Sequence, residues 1–375
     1  MAAIYGDMDL ESNTDSTRKL ASIQVVDRIH PHTGADSLEL ATILGWQIIT
    51  RIGEVQKGDT VIYCEIDSLL PVNVDWLPQA VKDRIVKEGT KDYFRVKTIK
   101  LRGELSQGLI IPLGDTLPPI GPIVVGNDVT DLLKIRKYEP PIFSYEMGNH
   151  PRRSDGTYVP FTSSRPSGNF PSHLVKKTDE TRIQSNPKLL ELLKDKPYYI
   201  AVKLDGTSAT YLLNPDTGEL MVCSRNMIRK RPDDINTCPY WLMAVKYDLE
   251  NKLKDMPHLA IQGEICGPTI QKNLLGLKNY EFFVFNIVDT RDRQIMALPD
   301  MIAFCSEMRL SMVPIEESGT SYPHYFPCDI KGLLTRAQGT YPGTKNAREG
   351  LVVRAADQSI SFKVINNDYL LKHGY

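Results

Sequence analysis

Several features that would define a class of protein are missing from this 375-residue sequence. Its six cysteines form no C-x-x-C pair and no zinc-knuckle spacing, which argues against structural zinc and favours reduced thiols. No apolar run approaches the length of a membrane span, and the start lacks a signal-peptide pattern. The formal net charge is only −1, so any nucleic-acid surface must be a local patch. We expect a soluble, intracellular (cytoplasmic-type) protein with no membrane partner.

The chain is long enough for two domains, and its patterns predict an α+β protein. Residues 1–17 are polar and unpatterned, which predicts a flexible tail. Short strands rich in Val and Ile over 18–115 predict a small β-barrel of the oligonucleotide-binding (OB) type. Residues 116–169 are rich in Pro, Gly and Ser and are interpreted as a linker with loops. A second domain over 170–375 follows, with predicted helices at 187–196 and 239–256.

Two polar features of the predicted barrel could bind a ligand or could simply face solvent. The basic run from Arg95 to Arg102 is either a phosphate-contacting surface or a solvated strand face, and the sequence favours neither. His30 and His32 are close in sequence, but no cysteine or carboxylate cluster accompanies them. We interpret both as ordinary surface histidines.

The stretch AVKLDGTSATY (201–211) organises the second domain. It is typical of a strand, so Lys203 and Asp205 project to one face and Leu204 to the other. Gly206 allows a turn or the close approach of a ligand. A lysine amine can attack phosphorus if its environment favours the uncharged form, and a metal held partly by Asp205 would do so. The motif alone is weak, because Lys-x-Asp on a strand is usually a solvated ion pair.

Other stretches downstream carry charged residues in apolar strands. Glu264 ends one such strand, Glu349 begins another and Lys363 lies in a third. Burial of these ions is costly unless they are paired, which predicts that they converge with Lys203 and Asp205 around a cation and a polyphosphate.

An ordered set of motifs, KLDG, SRN, QGE, FFVFNIVD, EGLVVR and FKVIN, spans residues 203–366. It resembles motifs I, Ia, III, IIIa, IV and V of the covalent nucleotidyltransferases, which comprise polynucleotide ligases and mRNA capping enzymes. The predicted barrel precedes motif I instead of following motif V. That order, together with VKTIKLRGELSQGLIIPL, KTDETRIQ and QGEICGPTIQKN, is most similar to the ATP-dependent RNA ligases typified by the Deinococcus and Naegleria enzymes.

The resemblance implies a three-step reaction and assigns residue roles. Lys203 would attack the α-phosphate of ATP to give a lysyl–AMP, AMP would pass to an RNA 5′-phosphate, and a 3′-OH would displace it. The cofactor would be Mg²⁺ or Mn²⁺, with a second ion on the β- and γ-phosphates, and the protein would act as a monomer. The implied residues are the acids that hold waters of the first metal, Asp205, Glu264 and Glu349; Arg225 for ribose or RNA phosphate; Phe283 or Phe285 for adenine; and Arg182 and Lys363 for phosphates.

One position departs from the family pattern. Many relatives have Lys-x-Lys in motif V, whereas Ile365 occupies the second position here. The role shared by two lysines would fall to Lys363 alone, or Arg354 or Lys345 would assist.

The alternative functions are a DNA ligase or guanylyltransferase of the same superfamily, and a non-catalytic RNA-binding protein with a ligase-like fold.

Overall fold

The computed structural model describes residues 18–90, 92–138, 166–323 and 328–374. The predicted tail at 1–17 lies outside the described residues. The first part of the chain forms eleven short strands and one helix within those limits. They are Ala21–Val25 (β1), Arg28–Pro31 (β2), Leu38–Ile43 (β3), Trp46–Arg51 (β4), Thr60–Cys64 (β5), Ser68–Pro71 (β6), Gln79–Glu88 (α1), Tyr93–Arg95 (β7), Thr98–Leu101 (β8), Glu104–Gln107 (β9), Leu109–Pro112 (β10) and Arg136–Lys137 (β11).

These strands form small antiparallel sheets around an apolar core. The strand orders are β1-β5-β10, β2-β3-β4, β11-β6-β7 and β8-β9. β4 shows why the sequence folds this way: Trp46, Ile48 and Thr50 alternate inward, while the residues between them are more exposed. Trp46 and Tyr63 are among the largest fully buried side chains. The predicted succession of short strands is therefore present in the described residues.

The predicted linker at 116–169 is wrong at both ends. Val129 donates its N–H to the Ala21 carbonyl, and β11 pairs with β6, so residues near 129–137 belong to the barrel. Pro166–Asn169 (β12) pairs with a strand of the second domain. Proline and glycine punctuate barrel loops as well as linkers, so composition alone misplaced both boundaries.

The second domain contains eleven strands and six α-helices among the described residues, with single-turn 3₁₀ helices at Ile183–Ser185 and Ile235–Thr237. After β12, the strands are Tyr198–Lys203 (β13), Thr207–Leu213 (β14), Leu220–Ser224 (β15), Met227–Arg229 (β16), Leu259–Cys266 (β17), Glu281–Asp289 (β18), Ser311–Met312 (β19), Ile315–Gly319 (β20), Gly350–Ala355 (β21) and Ser361–Ile365 (β22). The helices are Lys188–Leu193 (α2), Pro239–Lys246 (α3), Leu249–Lys254 (α4), Leu298–Glu307 (α5), Ile330–Ala337 (α6) and Asn367–His373 (α7).

Two sheets meet where the chain passes from β13 to β14. The larger sheet has the order β12-β16-β15-β14-β17-β18-β19, and the smaller has the order β20-β13-β21-β22. Residues 204–206 cross from the smaller sheet to the larger. Lys203 and Asp205 therefore lie at the junction of the sheets, within reach of strands from both.

The helix predicted over 239–256 is two helices instead of one. α3 ends at Lys246 and α4 begins at Leu249, and between them Asp248 has a left-handed φ of 51°. Aspartate tolerates this conformation better than most residues, so the apolar stripe continues while the helix axis is interrupted. The helix predicted at 187–196 is confirmed as the shorter α2.

Two predictions for polar residues of the barrel are corrected. His32 is buried, accepts a hydrogen bond from the Gly34 N–H at its Nδ1, and has Nε2 3.2 Å from the Leu101 carbonyl. Arg95 does not share an open basic face with Lys97, because it pairs with Asp67 at 2.8 Å and lies over the Tyr138 ring. One strand ends at Arg95 and the next begins at Thr98, so the basic run from Arg95 to Arg102 is not a single strand face.

All six cysteines are free thiols, as the sequence predicts. Within the described ranges, no helix combines the length and apolarity needed to cross a membrane. The cellular compartment stays a prediction.

Candidate active site

Lys203 is the last residue of a buried strand. The five residues before it are buried, and β13 is paired on both sides, by β20 and β21. Its register partner on β21 is Gly350, which places Glu349 immediately beside it. Both Glu349 carboxylate oxygens lie 2.9 Å from Lys203 Nζ. The two side chains keep 25% and 18% of their surface exposed, so the pair is reachable from solvent.

The charge on Lys203 is stabilised in this arrangement. Burial by itself lowers the pKa of the ammonium, but the negative charges of Glu349 and Glu264 and the hydrogen bond that the ammonium donates to Glu349 outweigh burial, so the net pKa is raised. The amine is therefore held protonated and aimed at Glu349. It becomes a nucleophile only when something else neutralises these carboxylates.

Asp205 is a buried carboxylate on the link between the two sheets. Tyr369 of α7 donates a hydrogen bond to its Oδ1 at 3.0 Å. Burial, and then the charge of Glu349, raise the pKa of Asp205 to about 6. Gly206 follows because a Cβ there would lie 2.4 Å from the Ile265 carbonyl oxygen. The glycine thus lets the Asp205 segment pack against β17, the strand that carries Glu264.

Glu264 reaches the same region from the larger sheet. It lies on β17 between Ser208 of β14 and Phe283 of β18. Burial, and then the charges of Glu349 and Asp205, raise the pKa of Glu264 to about 8 despite the opposing charge of Lys203. The charges of Glu349, Glu264 and Asp205 thus all act on Lys203, while the joint role of these residues in a nucleotide and metal site stays a prediction.

A second cluster of opposite charge adjoins the first. Asp179 pairs with Lys363 at 2.8 Å, with Arg225 at 2.9 Å and with Lys137 of β11 at 3.7 Å. Burial lowers the pKa of Lys363 to about 8; the Asp179 charge opposes that shift, and Arg182 and Lys203 add to it. Two predicted phosphate-binding side chains, Lys363 and Arg225, therefore share one carboxylate.

Arg182 links the second domain to the barrel. Its Nη2 lies 3.3 Å from Oδ2 of Asp67, which also binds Arg95. Burial, and then the charge of Arg18, lower the pKa of Arg182. Although its Nε and Nη1 are buried, no described group accepts a hydrogen bond from either atom. Donors left unpaired in this way suit an anionic ligand.

Phe283 and Phe285 are both partly exposed on β18, with the buried Val284 between them. Phe283 lies opposite Glu264, whereas Phe285 falls at a register shift between Gln262 and Gly263. Both therefore remain candidates for stacking a base.

The proposed helpers for Lys363 differ in position. Arg354 is buried and bonds to Glu180 at 2.6 Å, to Asn286 at 2.6 Å and to the Phe285 carbonyl at 3.0 Å. These contacts give it a structural role, since Glu180 lies in the segment that carries Asp179 and Arg182. Lys345 is exposed, and Ile365 is a buried core residue.

Several residues that organise the site were missed by sequence reasoning. Asp179, Asp67 and Tyr369 supply charge or hydrogen bonds to predicted site residues. Tyr341 bonds to three backbone groups beside the site. The only sequence signal was for Asp179, which lies in the KTDETRIQ stretch. The others come from remote segments with no motif of their own.

The three carboxylates fit a hydrated divalent cation better than a directly bound one. Among the described residues, no group of three His, Cys, Asp or Glu is arranged to hold an ion. Yet burial and like charges raise the pKa of both Asp205 and Glu264, a cost that a nearby cation would relieve. Oxygen donors of this kind suit Mg²⁺ or Mn²⁺, which retain waters.

Comparison with known proteins identifies both domains. A family model described as an OB-fold domain matches residues 20–113, and the RNA ligase family model matches residues 196–366. No curated protein matches the chain.

Solved structures match over nearly the whole length. A Naegleria gruberi RNA ligase with pyrophosphate has 31% identity and a TM-score of 0.79, covering 95% of this chain and 99% of that one. A mutant of that enzyme with ATP and Mn has 30% identity and a TM-score of 0.78, covering 95% and 98%. Another, with AMP and Mn, has 31% identity and a TM-score of 0.80, covering 95% and 99%. This α+β chain, an OB-fold domain followed by a sheet-rich nucleotidyltransferase domain, belongs to the RNA ligase family.

Proposed function

We propose that this protein is an ATP-dependent RNA ligase that joins a 3′-OH end to a 5′-phosphate end through a lysyl–AMP intermediate. The observation that carries the proposal is the position of Lys203 Nζ, 2.9 Å from Glu349 and between an acidic and a basic cluster. The similar Naegleria enzyme, solved with ATP or AMP and Mn, supports the choice of nucleotide and metal.

In the first step, Lys203 Nζ attacks the α-phosphorus of ATP. The ammonium first gives up one proton to solvent; the nitrogen–phosphorus bond then forms as the bond to pyrophosphate breaks, and the nitrogen releases a second proton to solvent. Arg182 and Lys363 bind the phosphates, and Phe283 or Phe285 stacks against adenine. A divalent ion held through its waters by Asp205, Glu264 and Glu349 would neutralise those acids and stabilise charge on the phosphate.

In the later steps the AMP moves to the RNA 5′-phosphate, and the 3′-OH displaces it. Arg225 is half exposed and contacts Asp179, so it can reach ribose or an RNA phosphate. The expectation that the protein acts as a monomer stays a prediction.

Covalent labelling tests the proposal. Protein incubated with α-labelled ATP and Mg²⁺ is expected to keep the label on a denaturing gel, and Lys203→Ala is expected to lose it. Labelled GTP tests the guanylyltransferase alternative, and DNA 3′-OH ends test the DNA ligase alternative. Unlabelled wild-type protein that still binds RNA would support the non-catalytic alternative and overturn the proposal.

A further inference from the structure

The buried phenol of Tyr341 lies where the segments that carry Lys203, Asp205 and Glu349 meet. The side chain is only 2% exposed, so it does not face solvent or a substrate. It belongs to the loop between α6 and β21, far in sequence from β13. No motif singled it out.

Its hydroxyl makes three hydrogen bonds, all to backbone. Tyr341 Oη accepts from the N–H of Asp205 at 3.0 Å and from the N–H of Glu349 at 3.2 Å. It donates to the Lys203 carbonyl at 2.9 Å. A phenol has one donor and two acceptor positions, so its bonding capacity is filled by these contacts.

The loop that carries Tyr341 is itself fixed. The Tyr341 N–H donates to the Asn346 carbonyl at 3.0 Å, and Thr340 pairs with Ala347. Asn346 Nδ2 donates to the Leu274 carbonyl at 2.8 Å, which ties the loop to the segment after β17. These loop hydrogen bonds fix the backbone of Tyr341, while its hydroxyl bonds to the backbone of Lys203, Asp205 and Glu349.

We propose that Tyr341 is a positioning residue that sets the spacing between the Lys203 amine and the carboxylates of Asp205 and Glu349. This proposal rests on the proposed function. Lys203 and Asp205 come from one end of β13, and Glu349 precedes β21. The hydroxyl joins the two ends at their backbones, so it acts through these residues and touches no reacting atom.

Replacing Tyr341 by Phe keeps the ring and removes all three hydrogen bonds. The N–H groups of Asp205 and Glu349 then lose an acceptor, and these two residues, which lie just beyond the Lys203–Gly350 pair of the sheet, can shift by fractions of an ångström. Reactions that depend on aligned groups lose up to about 100-fold in rate for small displacements. The chemical step should therefore suffer, whereas ATP binding, which rests on other side chains, should not.

Single-turnover adenylylation measures this effect. For Tyr341→Phe, we expect the rate constant at saturating ATP to fall about 10- to 100-fold, with the half-saturating ATP concentration and the final labelled fraction unchanged. A purely structural role would instead reduce the labelled fraction, because misfolded molecules do not react, and leave the rate constant of the rest unchanged. That result, or a rate constant equal to wild type, would overturn the proposal.

Tyr322→Phe is the matched control. Tyr322 is also 2% exposed, and its hydroxyl donates to a single backbone carbonyl, that of Cys328. The adenylylation rate constant of Tyr322→Phe should match that of wild type. If Tyr341→Phe gives no folded protein, Asn346→Ala tests the same loop without altering the phenol, and an unchanged rate constant there would contradict the proposal. Failure of wild-type protein to be labelled would instead refute the proposed function.

Discussion

Two neighbouring regions of the site carry opposite excess charge. In the acidic region, the ammonium of Lys203 contacts Glu349 and is also acted on by the negative charges of Glu264 and Asp205. In the basic region, the carboxylate of Asp179 is shared by three cations, Lys363, Arg225 and Lys137. Each region alone is electrostatically unfavourable. The pKa of Glu264 is raised, by burial and then by its acidic neighbours, and the pKa of Lys363 is lowered, by burial and then by Arg182 and Lys203.

The difference teaches what the complete site requires. A divalent cation would relieve the acidic region, and phosphate oxygens would relieve the basic one. A metal–nucleotide complex carries the positive charge of the metal and the negative charge of the phosphates. It therefore complements the acidic and basic regions together, which neither a metal ion nor a phosphate alone would do. Four substitutions test this division, in decreasing order of expected effect.

Glu349→Gln should give the largest effect. It removes the carboxylate that holds Lys203 at 2.9 Å while keeping the side-chain shape. We expect adenylylation to fall at least about 100-fold, because the variant loses one of the three acids proposed to hold the divalent ion, and electrostatic contributions at reacting groups are of that size. The measurement is the single-turnover rate with labelled ATP. Glu317→Gln is the control, since Glu317 pairs with Arg336 and Tyr198 away from the site. Near-normal activity of Glu349→Gln would show that the acidic region is dispensable.

Asp67→Asn should mainly affect stability. Asp67 binds both Arg95 and Arg182, which are largely buried, so its neutralisation removes one counter-charge from each of these two cations. Breaking a buried pair in this way costs about 3–5 kcal/mol of unfolding free energy. Urea unfolding measures the loss. Asp289→Asn, whose partner Arg291 is 70% exposed, should cause no measurable change. Equal effects of the two substitutions would contradict the idea that the barrel supports Arg182.

Glu264→Gln should change how stability depends on pH. Because the folded-state pKa of Glu264 is about 8, above its ordinary value of 4.5, its protonated form favours folding. Its contribution is complete below pH 4.5 and is lost as the pH rises towards 8. Between these values, wild type should lose up to about 1.4 kcal/mol per pH unit relative to the variant. Urea unfolding at four pH values measures the difference in unfolding free energy between wild type and Glu264→Gln, and Mg²⁺ should make that difference smaller.

Glu281→Gln provides a control of opposite sign. Burial raises the pKa of Glu281, but the hydrogen bonds from Lys246 and Tyr247 outweigh burial and lower it overall. Its contribution is present above the ordinary pKa and is lost as the pH falls. Parallel pH curves for wild type and Glu264→Gln would refute the expected burial of charge in the acidic region.

Asp179→Asn should have the smallest effect, visible mainly at high pH. Asp179 raises the pKa of Lys363 against the effect of burial, so its neutralisation should lower that pKa below about 8. Adenylylation should then decline at lower pH than in wild type, with a loss approaching about tenfold at pH 8.5 and a smaller loss at pH 6.5. Asp216→Asn, in an exposed turn, is the control. A uniform loss at all pH values would show that Asp179 acts by shape instead of charge.

The sequence by itself determined the strand pattern and the nucleotidyltransferase motifs. Alternation marked β4 and the strand before Lys203, because a half-buried strand exposes every second residue. Charged residues within or beside apolar strands, Glu264 in β17 and Glu349 before β21, indicated buried charge, because such ions need partners. These local regularities predict a small β-barrel followed by a second domain with buried charge, whereas the ligase assignment came from the resemblance of the ordered motifs to a known family.

Only the tertiary structure decided which distant groups complete the site. Tyr341, Asp67 and Tyr369 contact predicted site residues from 136, 115 and 164 positions away in sequence. Sequence patterns also did not indicate the helix break at Asp248, the burial of His32 or the assignment of residues 129–137 to the barrel. The physical reason is the same in each case. A side chain's partner and burial depend on the segments that fold against it, and neither periodicity nor composition records that neighbourhood.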